Sequence, residues 1–232
     1  MIAPVAPAKP AGSRRTNSLV RVFEGVKRIS GSRPLIVAVT SITFFDMLGA
    51  LAMPGVLLLA RIELGMGDAA AGTLGAFAAI GMLIGVLFCG HAASRIQSHI
   101  APIAGLGIAA ALVAAAIAAR DYWSLGGLLL LLGFFAGLFV LPFTTSLQRN
   151  AGNGERGLII STANFFDMAG LLSASGLLWV LRGALGLGPR SILIIGATAA
   201  LAYSIALLFW SQRLLPPASS FAPHHEVNHA RP

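Results

Sequence analysis

Charge is what this sequence has least of. Only 10% of its 232 residues are Asp, Glu, Lys or Arg, against roughly 25% in a soluble domain. Folding cannot repair that deficit, because a water-facing surface needs the missing charge. Cysteine is almost absent too. Cys89 is the only one, so no intramolecular disulfide can form, and in its apolar run it reads as a small core residue. The first 33 residues lack the apolar run of a cleavable signal peptide, so the first spanning helix is expected to act as its own insertion signal. Catalytic patterns are missing: no Ser/His/Asp or Cys/His constellation appears, and every loop is too short to hide a catalytic domain. The reading is therefore not an enzyme, with no cofactor and no metal. His224, His225 and His229 read as a His-containing tail rather than a metal site.

What is present is apolar. Hydrophobic residues make up 56% of the chain. They gather into six stretches near 34–60, 69–90, 100–119, 123–147, 157–181 and 190–210. Each is about the 20 residues a helix needs to cross the hydrocarbon. The fourth contains LGGLLLLLGFFAGLFVLPF; the third is Ala-rich but carries no charge. Ahead of them, residues 1–16 read as a disordered basic tail. Residues 17–33 hold a short amphipathic helix, with Leu19, Val22, Phe23, Val26 and Ile29 at helical spacing. Its cations fit the inner membrane surface or the cytoplasmic face of a bundle. Residues 34–210 form the bundle, and 211–232 a polar tail. The fold class is all-α membrane protein with six transmembrane helices.

The net charge of +8 comes from 16 Lys and Arg against 8 Asp and Glu. The cations sit in the N-terminal tail and at helix ends, which points to lipid head groups rather than nucleic acid. With the N-terminus inside, 12 cations fall on the inner side and 4 on the outer, the positive-inside pattern. Trp123, Trp179 and Trp210 fall at helix ends, where interfacial belts place them. Six spans put both termini in the cytoplasm. Arg exceeds Lys 14 to 2, a coding bias that suggests a bacterium and its inner membrane.

Two acids lie deep in apolar spans: Asp46 in TFFDMLGAL and Asp167 in NFFDMAGLL. Both spans run from inside to outside. At 1.5 Å per residue both carboxyls are expected roughly 15 Å deep, near the midplane. An ionised carboxylate there costs about 2.5–3.5 kcal/mol or more, so such residues face a bundle interior or a wet cavity. Two close carboxyls can share a proton, which is how a proton-coupling site is built. The other reading is that each acid bonds Thr43, Asn164 or nearby backbone and fixes packing. An inverted repeat of three helices would pair the first span with the fourth. The FFDM copies lie in the first and fifth, so the repetition reads as coincidence or a shared local role. Pro54 and Pro142 are expected to kink their helices. Thr144, Thr145, Ser146 and Gln148, with Ser161, Thr162 and Asn164, either line an inward cavity or glue helices together. Gly81–Gly85 and Gly133–Gly137 are GxxxG steps that favour close helix approach. Gly152, Asn153 and Gly154 make a turn, not a phosphate cradle.

The segment GLFVLPFTTSLQRNAGNGERGLIISTANFFDMAG, the basic stretch 18–33 and Gly90-x-x-x-Ser94-Arg95 together resemble the C-terminal six-helix half of a major facilitator superfamily transporter. The resemblance covers about residues 18–210. Within the superfamily it is closest to the branch of lysophospholipid transporters and acyltransferase-fused transporters. In the first segment Pro142, Gln148, Glu155, Arg156, Gly157 and Asn164 fill family positions. The loop motif departs from the family at Ser94, where Asp is usual. The resemblance implies alternating access and a small or amphipathic solute, with lysophospholipid a candidate. It implies a gating loop at Arg95, Glu155 and Arg156. It also implies a partner, since the superfamily builds its cavity between two six-helix halves. Besides membrane lipids, that partner is a separate chain or a second copy. Two other functions fit: a proton-coupled drug or metabolite exporter, or a non-transporting subunit or remnant held by a partner.

Overall fold

The structure is a computed structural model that describes residues 18–92, 97–152 and 154–214. Among them it is helical, with no strand: α1 (Ser18–Ser30), α2 (Arg33–Leu58), α3 (Asp68–Ala92), α4 (Gln97–Ala118), α5 (Tyr122–Asn150), α6 (Arg156–Trp179) and α7 (Pro189–Leu214). Six of these are long and apolar enough to cross a membrane: Arg33–Glu63, Asp68–His91, Ile100–Ala118, Tyr122–Asn150, Arg156–Ala184 and Pro189–Trp210. The chain is a multi-pass membrane protein. At 1.5 Å per residue the first span, 31 residues long, exceeds a roughly 30 Å hydrocarbon core, so it tilts or emerges from it.

Packing sorts the helices by side-chain size. The Ala-rich α4 is the most buried span and α6 the least. Ala104, Ala111, Ala115 and Ala116 are all buried on α4, and their small side chains let α5 and α7 close on it from two sides. The closest helix contact joins α3 to α5, and four glycines make it. A Cβ on Gly81 or Gly85 would strike the Leu130 or Phe134 carbonyl. One on Gly133 or Gly137 would strike the Ala78 or Met82 carbonyl. Both GxxxG steps therefore face each other across one seam.

Short caps set the ends. Asp121 caps α5: its Oδ1 accepts from Ser124 N at 2.7 Å, and Ser124 Oγ accepts from Asp121 N at 3.1 Å. These bonds from Ser124 hold the exposed Asp121 carboxyl below the ordinary 3.8. A depressed folded pKa adds stability above the ordinary value, and that stability is lost as pH falls through the depressed one. Asp121→Ala is expected to lower the melting temperature at pH 7, with the gap to the parent chain narrowing below pH 3.8. A thermal melt at both pH values reads it. Beside this cap Thr73 Oγ1 and Tyr122 OH are 2.9 Å apart, and Phe77 meets Tyr122 and Trp123 edge-on.

The amphipathic helix α1 lies against α6 and α2. Gly25 permits the contact, since a Cβ there would run into Thr162 of α6. Arg28 Nη2 meets Glu155 Oε1 at 2.6 Å. Both side chains are largely exposed, so the pair contributes about 0–1 kcal/mol and mainly sets where α1 sits. At the opposite end of the bundle, Arg190 at the start of α7 pairs with Glu63. Its Nη1 also donates to the Ala116 carbonyl of α4 at 2.7 Å.

Candidate functional site

The site is built where α2 passes α6. Three successive residues of α2 point to three different neighbours. Thr43 faces α6, Phe44 stacks on Tyr203 of α7 at 4.1 Å, and Phe45 lies 6.0 Å from Phe139 of α5. Thr43 Oγ1 donates to Asp167 Oδ1 at 2.6 Å. Asp46 follows Thr43 by three residues, hence on the same side of the helix. It lies within electrostatic reach of Asp167. Gly170, one turn beyond Asp167, lets the two backbones approach. A Cβ there would stand 2.9 Å from Thr43 Cγ2 and 3.8 Å from Met47 Cβ. Thr43 and Asp167 therefore join on one seam between parallel spans, with the half-buried Asp46 one turn along α2 from the same hydroxyl. Such a cluster can hold and pass a proton, or hold a cationic group.

The other residues singled out from sequence fall elsewhere. Asn164 and Ser161 are exposed on α6. Gln148 is exposed near the end of α5, with Arg149 and Asn150. Thr144 and Thr145 donate to carbonyls of their own helix, Val140 and Leu141. Glu155 holds Arg28 of α1, and Arg156 is exposed at the start of α6. Arg95 lies outside the described residues, as do the tails 1–16 and 215–232. Pro54 and Pro142 sit inside α2 and α5, which continue past them. A third helix-internal proline, Pro102, went unremarked from sequence.

Two features escaped the sequence reading. Ser41 is fully buried and bonds Tyr203 across to α7 at 2.9 Å. A hydroxyl amid apolar neighbours on each helix was the available signal, but nothing in either segment says they pair. The second is the extent of the FFDM repeat. Each copy ends its span in a five-residue π-turn, Leu59–Glu63 and Val180–Ala184. Each turn carries an arginine, Arg61 or Arg182, and leads to a left-handed glycine, Gly65 at φ 62 or Gly186 at φ 61. Glycine takes that conformation without the penalty a Cβ brings. The backbone bonds match as well: Leu64 N to Leu59 O at 3.1 Å, and Leu185 N to Val180 O at 3.0 Å. The likeness of the two spans thus reaches from the acids to the outer ends.

Among the described residues, six apolar spans joined by short connections, two of them carrying mid-span acids on a shared seam, define a polytopic helical membrane domain. A family model, the Major Facilitator Superfamily, matches residues 1–175. The chain belongs to that superfamily, whose members are transporters. The matched stretch contains both acids and Thr43. No curated protein and no solved structure matches the chain.

Proposed function

We propose that this chain is the C-terminal six-helix half of a major facilitator-type transporter in a bacterial inner membrane, with both termini cytoplasmic. It moves a small or amphipathic solute, lysophospholipid the first candidate, by alternating access. Thr43, Asp46 and Asp167 form its coupling group. The observation that carries the reading is the Thr43–Asp167 bond with Asp46 beside it. Half-buried acids in a span are costly to keep, and Asp46, one turn of α2 beyond the hydroxyl that holds Asp167, gives a proton a second place to reside.

The partner half is supported by α6. It is the least buried span, yet its exposed residues include Ser161, Asn164, Ser173 and Ser175. The three serines donate to their own helix carbonyls. The Asn164 amide has no partner among the described residues. An amide facing hydrocarbon is costly, so a second bundle or a water-filled cavity belongs there. The excess of cations on the inner side supports the orientation.

The experiment is uptake of a fluorescent lysophosphatidylethanolamine, with and without an imposed pH gradient, in proteoliposomes holding the chain and its second half. Gradient-driven uptake is the expected result. Co-purification of both halves with no gradient-driven uptake would overturn the coupling role.

A further inference from the structure

A groove of about 490 Å³ runs along the seam of α1, α2 and α6, beside the acid pair but distinct from it. Val26 and Ile29 of α1, Ile36, Val39 and Phe44 of α2, and Phe166 of α6 form most of its wall. Only Ser30, Thr40 and Thr43 bring hydroxyls to it. The hydroxyls of Ser30 and Thr40 are turned back onto carbonyls of their own helices, so the lining offers little to a polar ligand. We propose that the groove is a binding site for one acyl chain of an anionic bilayer phospholipid.

Three observations choose that occupant. The first is depth. From Ile36 to Met47 the lining climbs α2 by about 16 Å at 1.5 Å per residue, and one leaflet of a roughly 30 Å hydrocarbon core is about that thick. The groove therefore fits one leaflet, not a soluble ligand. The second is charge. Lys27 and Arg33 are exposed where α1 turns into α2, next in the chain to the lining residues Val26, Ile29, Ser30 and Ile36, while Arg28 is taken by Glu155. Two free cations at the interface match a phosphate head group. The third is the roof. Phe23 and Val20 of α1 are exposed beside Arg21 and Glu24, so α1 presents both an apolar and a charged surface, the habit of an interfacial helix.

The site has a consequence for the coupling group. Thr43 both lines the groove and donates to Asp167. A bound acyl chain presses on the same side chain that orders the acids, so lipid composition would bias their arrangement. The lipid site itself does not depend on the transport reading.

Photolabelling of the full chain in vesicles tests it, using phosphatidylglycerol with a diazirine in mid-chain and peptide mapping of the adducts. Adducts are expected on residues 26–30 and 36–47. Thr40→Trp, at an exposed lining position, should remove them while the melting temperature stays unchanged. Lys27→Gln with Arg33→Gln should lower labelling by about thirtyfold, as loss of two interfacial cations implies, and should change phosphatidylcholine labelling far less. Adducts spread evenly over the exposed faces of α3 and α4, or unchanged by Thr40→Trp, would overturn the proposal. So would a Thr40→Cys variant that cross-links to another protein chain and excludes the lipid, because the groove would then belong to a partner helix. Labelling requires no transport, so its failure would leave the acid-pair reading standing.

Discussion

Gly85→Leu is expected to unfold the α3–α5 pair, and Gly133→Leu to do the same from the other side. In each case a new side chain would enter the space of a backbone carbonyl, Phe134 for Gly85 and Ala78 for Gly133. A flexible side chain could swing away, but a helix carbonyl cannot move without moving its helix. Overpacking of this kind costs about 3 kcal/mol or more when the obstacle is rigid. The seam is also the most extensive helix contact among the described residues, so little else compensates for it. Gly90 on α3 and Gly127 on α5 provide the controls, since a Cβ at either meets nothing within 4 Å. Thermal unfolding in detergent should show a large loss for the seam variants and almost none for Gly90→Ala or Gly127→Ala. Equal losses in all four would mean that glycine content, rather than this seam, governs stability.

The second large effect is on coupling. A hydrogen bond to a charged group contributes about 1.5–3 kcal/mol, roughly a ten- to hundredfold effect on any step that needs it. Asp167 accepts from Thr43, so Asp167→Asn should lower gradient-driven uptake by about tenfold or more. Thr43→Val should follow it most of the way. Residues that act as one unit lose function together. The double variant Asp46→Asn/Asp167→Asn is accordingly expected to be no worse than the weaker single one. Full activity of Asp167→Asn with unchanged pH dependence would leave the acids as packing residues only.

The spans were legible because hydropathy is a local property. A run such as the one in α5 declares its solvent whatever its neighbours are. The amphipathic α1 was legible for the same reason, from spacing alone. What α1 rests on was not, because the fit of Gly25 against Thr162 joins residues far apart in sequence. The Ser41–Tyr203 bond spans 162 positions and the Thr43–Asp167 bond 124. No single segment carries such information. Asp46 and Asp167 could be placed at one depth by counting residues, but counting says nothing about which way a helix is rotated. Thr43 completes that answer, since its bond fixes the rotation of α2 against α6. The FFDM repeat shows the opposite limit. Four consecutive identical residues mark the repeat in the sequence, while Arg61/Arg182 and Gly65/Gly186 lie at matching distances among differing neighbours. Gly49/Gly170, Leu51/Leu172, Gly55/Gly176 and Leu57/Leu178 bridge the interval at the same spacing, and the shared π-turns and left-handed glycines show that the repeat extends to the backbone.

The central claim is that α2 and α6 meet with both acids on their shared seam, and cysteine cross-linking tests it most directly. The separation from Met47 Cβ to a Cβ at Gly170 is 3.8 Å, about the mean for a disulfide. Cys89→Ala removes the native thiol, and Thr43→Ser removes the methyl that would crowd position 170. In that background, Met47→Cys with Gly170→Cys should form an intramolecular disulfide under mild oxidation. The bond would hold together the two fragments of a chain cut between α3 and α4. Met47→Cys with Gly176→Cys should not form one. Fragments that separate for the 47/170 pair while the 47/176 pair stays linked would place α6 in a different rotation or register and contradict the account.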